Sequence, residues 1–82
     1  MTDQEKAEKL VSLAACRRTA EEAYDRMYER HSSSDATACY SDAKEALYDA
    51  INLARQLELV GEIEALEKRL AHIKAVFRSQ FS

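Results

Sequence analysis

This chain of 82 residues contains no proline, and its one glycine is Gly61. Those two residue types are the main breakers of helices and makers of tight turns. A chain almost without them is built to stay helical between a few polar breaks. The length suits one small domain, residues 1–82, and 46% apolar residues are enough for a single core. Cores of this size yield a net stability of only about 3–5 kcal/mol, so burial against a second copy or another protein would add to it noticeably.

Apolar residues recur at steps of three and four, the helical period. They predict an all-α, antiparallel up-down-up three-helix bundle with helices over about 3–30, 34–60 and 62–80. Thr2, with Glu5 three positions on, fits a capping box at the start of the first helix. Its inner stripe is Ala7, Leu10, Leu13, Ala14, Cys16, Ala20, Ala23, Tyr24 and Met27. The polar run His31, Ser32, Ser33, Ser34, Asp35 competes for backbone hydrogen bonds and favours a turn followed by an N-cap. The second stripe is Ala36, Cys39, Tyr40, Ala43, Leu47, Ala50, Ile51, Ala54 and Leu57, with the helix ending near Val60 and Gly61 supplying the stop. The third, Ile63, Leu66, Leu70, Ile73 and Phe77, reads as a heptad seam. Its early acids Glu62, Glu64 and Glu67 and late bases Lys74 and Arg78 complement the helix dipole.

Folding the chain near residues 33 and 61 sets the expected layers. Leu10 falls beside Leu57 and Leu66, Cys16 beside Ala50 and Ile73, Ala20 beside Leu47 and Phe77, and Tyr24 beside Ala43 and Phe81. In that register the third helix runs out before the first hairpin does. Met27, Tyr28, Ala36 and Cys39, with Tyr40 and Phe81, are then expected to form a partly exposed apolar end, and such surfaces mark contact sites. Tyr48, one position off the stripe of the second helix, is a further contact candidate, since tyrosine gives large contact area at low entropic cost.

Acidic residues outnumber basic ones by 15 to 12, and the two signs are interspersed. That disfavours a nucleic-acid binder, which needs a concentrated basic field. The alternative reading rests on Arg17, Arg18, Lys74 and Arg78, which parallel first and third helices could gather into a weak basic patch for an anionic ligand. Ordinary ion pairs within a helix, such as Arg18 with Glu22, Glu5 with Lys9, Glu22 with Arg26 and Glu64 with Lys68, are the simpler expectation.

Reactive chemistry is not visible in the pattern. Cys16 and Cys39 are too few and too far apart for a disulfide framework or a zinc knuckle, and read as small apolar packing. His72 borders the third stripe without metal-ligand spacing, and His31 is a turn residue near a helix C-terminus. There is no GxSxG turn and no glycine-rich phosphate loop. No enzyme, cofactor or metal is expected. No apolar run is long enough to span a membrane, and the charged N-terminus is unlike a secretory signal, so a cytoplasmic location is expected.

Ala43, Ala46, Leu47, Ala50, Ile51 and Ala54, followed by Leu57 and Gly61, resemble one helix and turn of a tetratricopeptide repeat over roughly a quarter of the chain. The glycine and proline positions of that repeat are missing, and no repetition at about 34 residues appears. The resemblance therefore implies a helical hairpin and not membership. The function expected from these residues is a protein-protein interaction or adaptor module, binding another protein or a second copy of itself.

Overall fold

The computed structural model describes residues 2–29 and 33–81, the side chains at 28, 29, 33–35 and 81 excepted. It is an all-α three-helix bundle of α1 (Asp3–Glu29), α2 (Ser33–Gln56) and α3 (Val60–Phe81). Connections of a few residues turn each helix back along its predecessor. The first connection, residues 30–32 with His31, lies outside the described residues. The bundle is long and thin, about 45 × 19 × 13 Å between Cα extremes.

The start of α1 follows the capping pattern. The Glu5 N–H donates to Thr2 Oγ1 at 3.2 Å and the Lys6 N–H to the Thr2 carbonyl at 3.0 Å. The cap thereby satisfies one orphan donor of the first turn, the Glu5 N–H, and the Lys6 bond is the first of the helix. Asp3 and Glu5 sit where the helix dipole favours negative charge.

α2 is the central helix. Ala36, Cys39, Ala43, Leu47, Ala50, Ile51, Ala54 and Leu57 are buried along it as the spacing predicts, and Ala46 joins them. α1 and α3 both pack on α2 and barely touch each other. The main core joins Leu13, Ala20 and Ala23 of α1 to this face and to Leu66, Leu70 and Ile73 of α3. A second cluster at the first-turn end holds Met27, Ala36 and Cys39 under Tyr24, Tyr40, Val76 and Phe77.

The second corner differs from expectation, because Gly61 does not end α2. The helix stops at Gln56, and Glu58 takes the left-handed conformation with φ 57°. The Leu59 N–H donates to the Ala54 carbonyl at 2.9 Å and the Glu58 N–H to the Arg55 carbonyl at 3.1 Å. Those two bonds are the Schellman motif, with Glu58 at the position glycine usually fills. A left-handed conformation costs a non-glycine residue roughly 1–2 kcal/mol. Two apolar anchors offset it: Leu57 is buried, and Leu59 packs against the main core. The Leu59 carbonyl then accepts from the Ile63 N–H at 2.9 Å and opens α3. Gly61 lies inside the first turn of α3, with nothing within 4 Å of where a Cβ would stand.

Moving this corner moves all of α3. A chain folded back at residue p sets residue i against 2p − i, so each residue of displacement in the corner shifts the facing register by two. Phe77, expected level with Leu47, stacks instead on Tyr40, about two helical turns nearer the start of α2. The expected exposed apolar end is therefore corrected. Met27, Ala36 and Cys39 are 0%, 1% and 8% exposed, because the end of α3 lies over them. Leu10, expected in the core beside Leu66, is left 42% exposed at the other end.

Candidate functional site

The residues expected to meet a partner separate into four groups. Met27 and Cys39 are core. Tyr40 is half-buried, its ring stacked on Phe77 with centroids 4.0 Å apart and 4° between planes, and Lys44 Nζ lies 4.7 Å from its centroid. The side chains of Tyr28 and Phe81 lie outside the described residues. Tyr48 alone keeps substantial exposure, on the α2 flank facing α3. Its hydroxyl accepts from Lys74 Nζ at 3.0 Å. That bond pulls the Tyr48 phenol below its ordinary pKa and holds the Lys74 ammonium above its own.

The four cations of the alternative reading do not gather. Arg17 Nη1 lies 2.8 Å from Glu62 Oε1, near the start of α3. Lys74, bound to Tyr48, is some 18 Å further along the same helix at 1.5 Å per residue. Arg18 projects from the exposed side of α1, bordering a shallow hollow with Ala14, Arg17 and Glu21. Arg78 belongs to the last turn of α3.

Three ion pairs among the described residues run between helices. Arg69 chelates Glu21 across the gap from α3 to α1, with Nε donating to Oε2 at 2.8 Å and Nη2 to Oε1. Its guanidinium also lies over the Tyr24 ring, 4.7 Å from the centroid. Hydrogen bonding to Glu21 raises the Arg69 pKa above its usual value. Arg55 approaches Glu67 at 3.4 Å between α2 and α3. Arg17 and Glu62 make a third pair, between α1 and α3, but the angles of their approach fall outside hydrogen-bond geometry. The buried Glu62 Oε1 therefore has charge contact without a directed bond. The two α1–α3 pairs span a cleft of about 400 Å³ floored by Leu47, Ala65 and Leu66. With their charges mutually satisfied, these arginines act as a clasp holding α1 beside α3.

The nucleophile and metal candidates are quiet. Burial, and then the nearby charge of Asp49, push the Cys16 thiol up from its usual pKa, which suppresses the thiolate that reacts. Cys39 is buried. His72 lies tilted against Tyr24, ring centroids 6.3 Å apart. Among the described residues no three His, Cys, Asp or Glu side chains are grouped to hold a metal ion, and no helix is long and apolar enough to cross a membrane.

The exposed apolar surface lies where the sequence reading did not place it. Val11 is 71% exposed, Val60 66% and Leu10 42%, all toward the second-corner end of the bundle. Val11 points almost directly away from the buried line Leu13, Ala20, Ala23, Met27 at about 100° per residue. Gln4, Ala7, Glu8, Val11 and Ser12 border one shallow hollow on this outer face. The missed signal is a second apolar spacing on α1, Ala7, Val11 and Ala14 with Ala15 beside them, concealed by the stronger inner stripe.

Compared with protein-family models, curated proteins and solved structures, the chain matches none of them.

Proposed function

We propose that this chain is a non-enzymatic helical interaction module, cytoplasmic, that engages another protein or a second copy of itself through the outer face of the N-terminal half of α1. The observation that carries this reading is Val11, largely exposed on a helix whose inner face is already packed against α2. A helix with apolar residues on both sides has a second face to bury. Tyr48, half-exposed on α2, is the lesser candidate because Lys74 already occupies its hydroxyl. An anion-binding reading would need Arg17, Arg18, Lys74 and Arg78 together and free, while Arg17 and Lys74 have partners at separate places.

The test is a photoreactive residue at position 11 in cells that make the protein, with one at Glu64, exposed on α3, as reference. Discrete protein adducts at position 11 and few at 64 are expected. Equal yields at the two positions would overturn the reading.

A further inference from the structure

The outer face of α1 carries charges as well as apolar surface, and their arrangement selects an occupant. Gln4, Ala7, Glu8, Val11, Ala14, Ala15 and Arg18 are all exposed and share this side of the helix. Glu8 and Arg18 stand five residues on either side of Leu13. Among the described residues, Glu8 accepts a 3.5 Å bond from Gln4 and no other, and the expected Arg18–Glu22 pair does not form. Two opposite charges placed symmetrically about one level of a helix complement the same helix turned end for end.

We infer that this face is a homodimer seam, in which α1 of one copy packs antiparallel on α1 of a second copy about a twofold axis level with Leu13. The inference rests on the reading of α1 as an interaction face and names its partner. In this register Glu8 of each copy meets Arg18 of the other, and Val11 of each meets Ala15 of the other. A twofold contact is isologous, so each pairing occurs twice. Alanines at 7, 14 and 15 let the helix axes approach to about 8 Å, the near end of the usual range, with Val11 as the knob between them. The opposite pole of each α1 stays on its own α2, so neither core has to open.

The test uses the purified chain in light scattering across protein concentration, with dichroism to verify that each variant stays helical. Wild type should rise from 9.3 kDa toward twice that mass, and Val11→Lys should remain at 9.3 kDa. Glu8→Arg and Arg18→Glu should each weaken association roughly tenfold, since each sets like charges opposite one another at two places. The double reversal Glu8→Arg/Arg18→Glu should recover wild-type association. A wild type monomeric at every concentration, or a double reversal no better than its parents, would overturn the antiparallel seam. Photo-adducts at position 11 with other proteins only would leave the interaction face standing without self-pairing, whereas neither adducts nor dimer would remove both.

Discussion

The two ends of this bundle are built from similar apolar side chains and meet opposite fates. At the first-turn end Met27, Ala36 and Cys39 are sealed beneath Val76, Phe77 and the tyrosines 24 and 40. At the other end Leu10, Val11 and Val60 face outward. Hydrophobicity does not separate them, since leucine and valine are at least as apolar as cysteine and alanine. What separates Leu10 from the sealed end is where α3 begins, whereas Val11 lies on the side of α1 turned away from the bundle in either register. The corner at Leu57, Glu58 and Leu59 comes about three residues before Gly61, which slides α3 about 9 Å toward the first turn at twice that number of residues and 1.5 Å each. Cover gained at one end is cover lost at the other.

The largest expected effect tests this contrast directly. Met27→Ala removes a side chain with 0% exposure and should cost about 2–5 kcal/mol in urea unfolding. Leu10→Ala removes a comparable volume from the open end and should cost less, about 1 kcal/mol, because 42% of its surface is already in water. Similar losses for the two would mean that the ends are not different.

Phe77→Ala comes next, at about 2 kcal/mol, because it takes away both the lid over Met27 and the stack on Tyr40. It should also raise binding of a hydrophobic dye, as the first-turn cluster opens. Without a rise in dye binding, Phe77 does not provide the cover.

Much of this was legible in the residues, and the exceptions share one cause. The stripe of α2 was read correctly because α2 is packed on two sides and its apolar run has no competing face. On α1 the stripe was right at Leu13, Ala20, Ala23 and Met27, which are buried, but wrong at Ala7, Leu10 and Ala14, which are exposed. Periodicity tells which side of a helix is apolar, but not whether a neighbour reaches that level. Gly61 was the natural place to end α2, yet Glu58 took the left-handed position because burying Leu57 and Leu59 on either side of it outweighs the local strain. The Glu21–Arg69 clasp could not be read, since it depends on the register that this corner sets.

The corner itself can be sharpened. Glu58→Gly relieves the left-handed strain and should stabilise by about 0.5–1 kcal/mol, less than the full strain because glycine is more disordered when unfolded. Gly61→Ala should stabilise by a similar amount, roughly 0.5–1 kcal/mol, because the added methyl enters open space within a helix. Loss of stability in Glu58→Gly would show that the carboxylate side chain supports the turn. A destabilised Gly61→Ala would show that Gly61 is needed for the chain reversal after all.

The smallest effect belongs to the pairs that bridge α1 and α3. Arg69 and Glu21 are 35% and 49% exposed, and Arg17 and Glu62 57% and 26%. Exposed pairs contribute only about 0.2–1 kcal/mol and are screened by salt, so Glu21→Gln should cost no more than about 0.5 kcal/mol. Arg69→Ala should cost up to about 1 kcal/mol more, because the guanidinium also covers the Tyr24 ring. The difference between these variants therefore measures aromatic cover, and it should persist at 1 M salt while the cost of Glu21→Gln fades. If Glu21→Gln instead cost as much as Phe77→Ala, α3 would be held in place by its clasp to α1. Its position would then not be decided at the corner, and the contrast between the two ends would have a different origin.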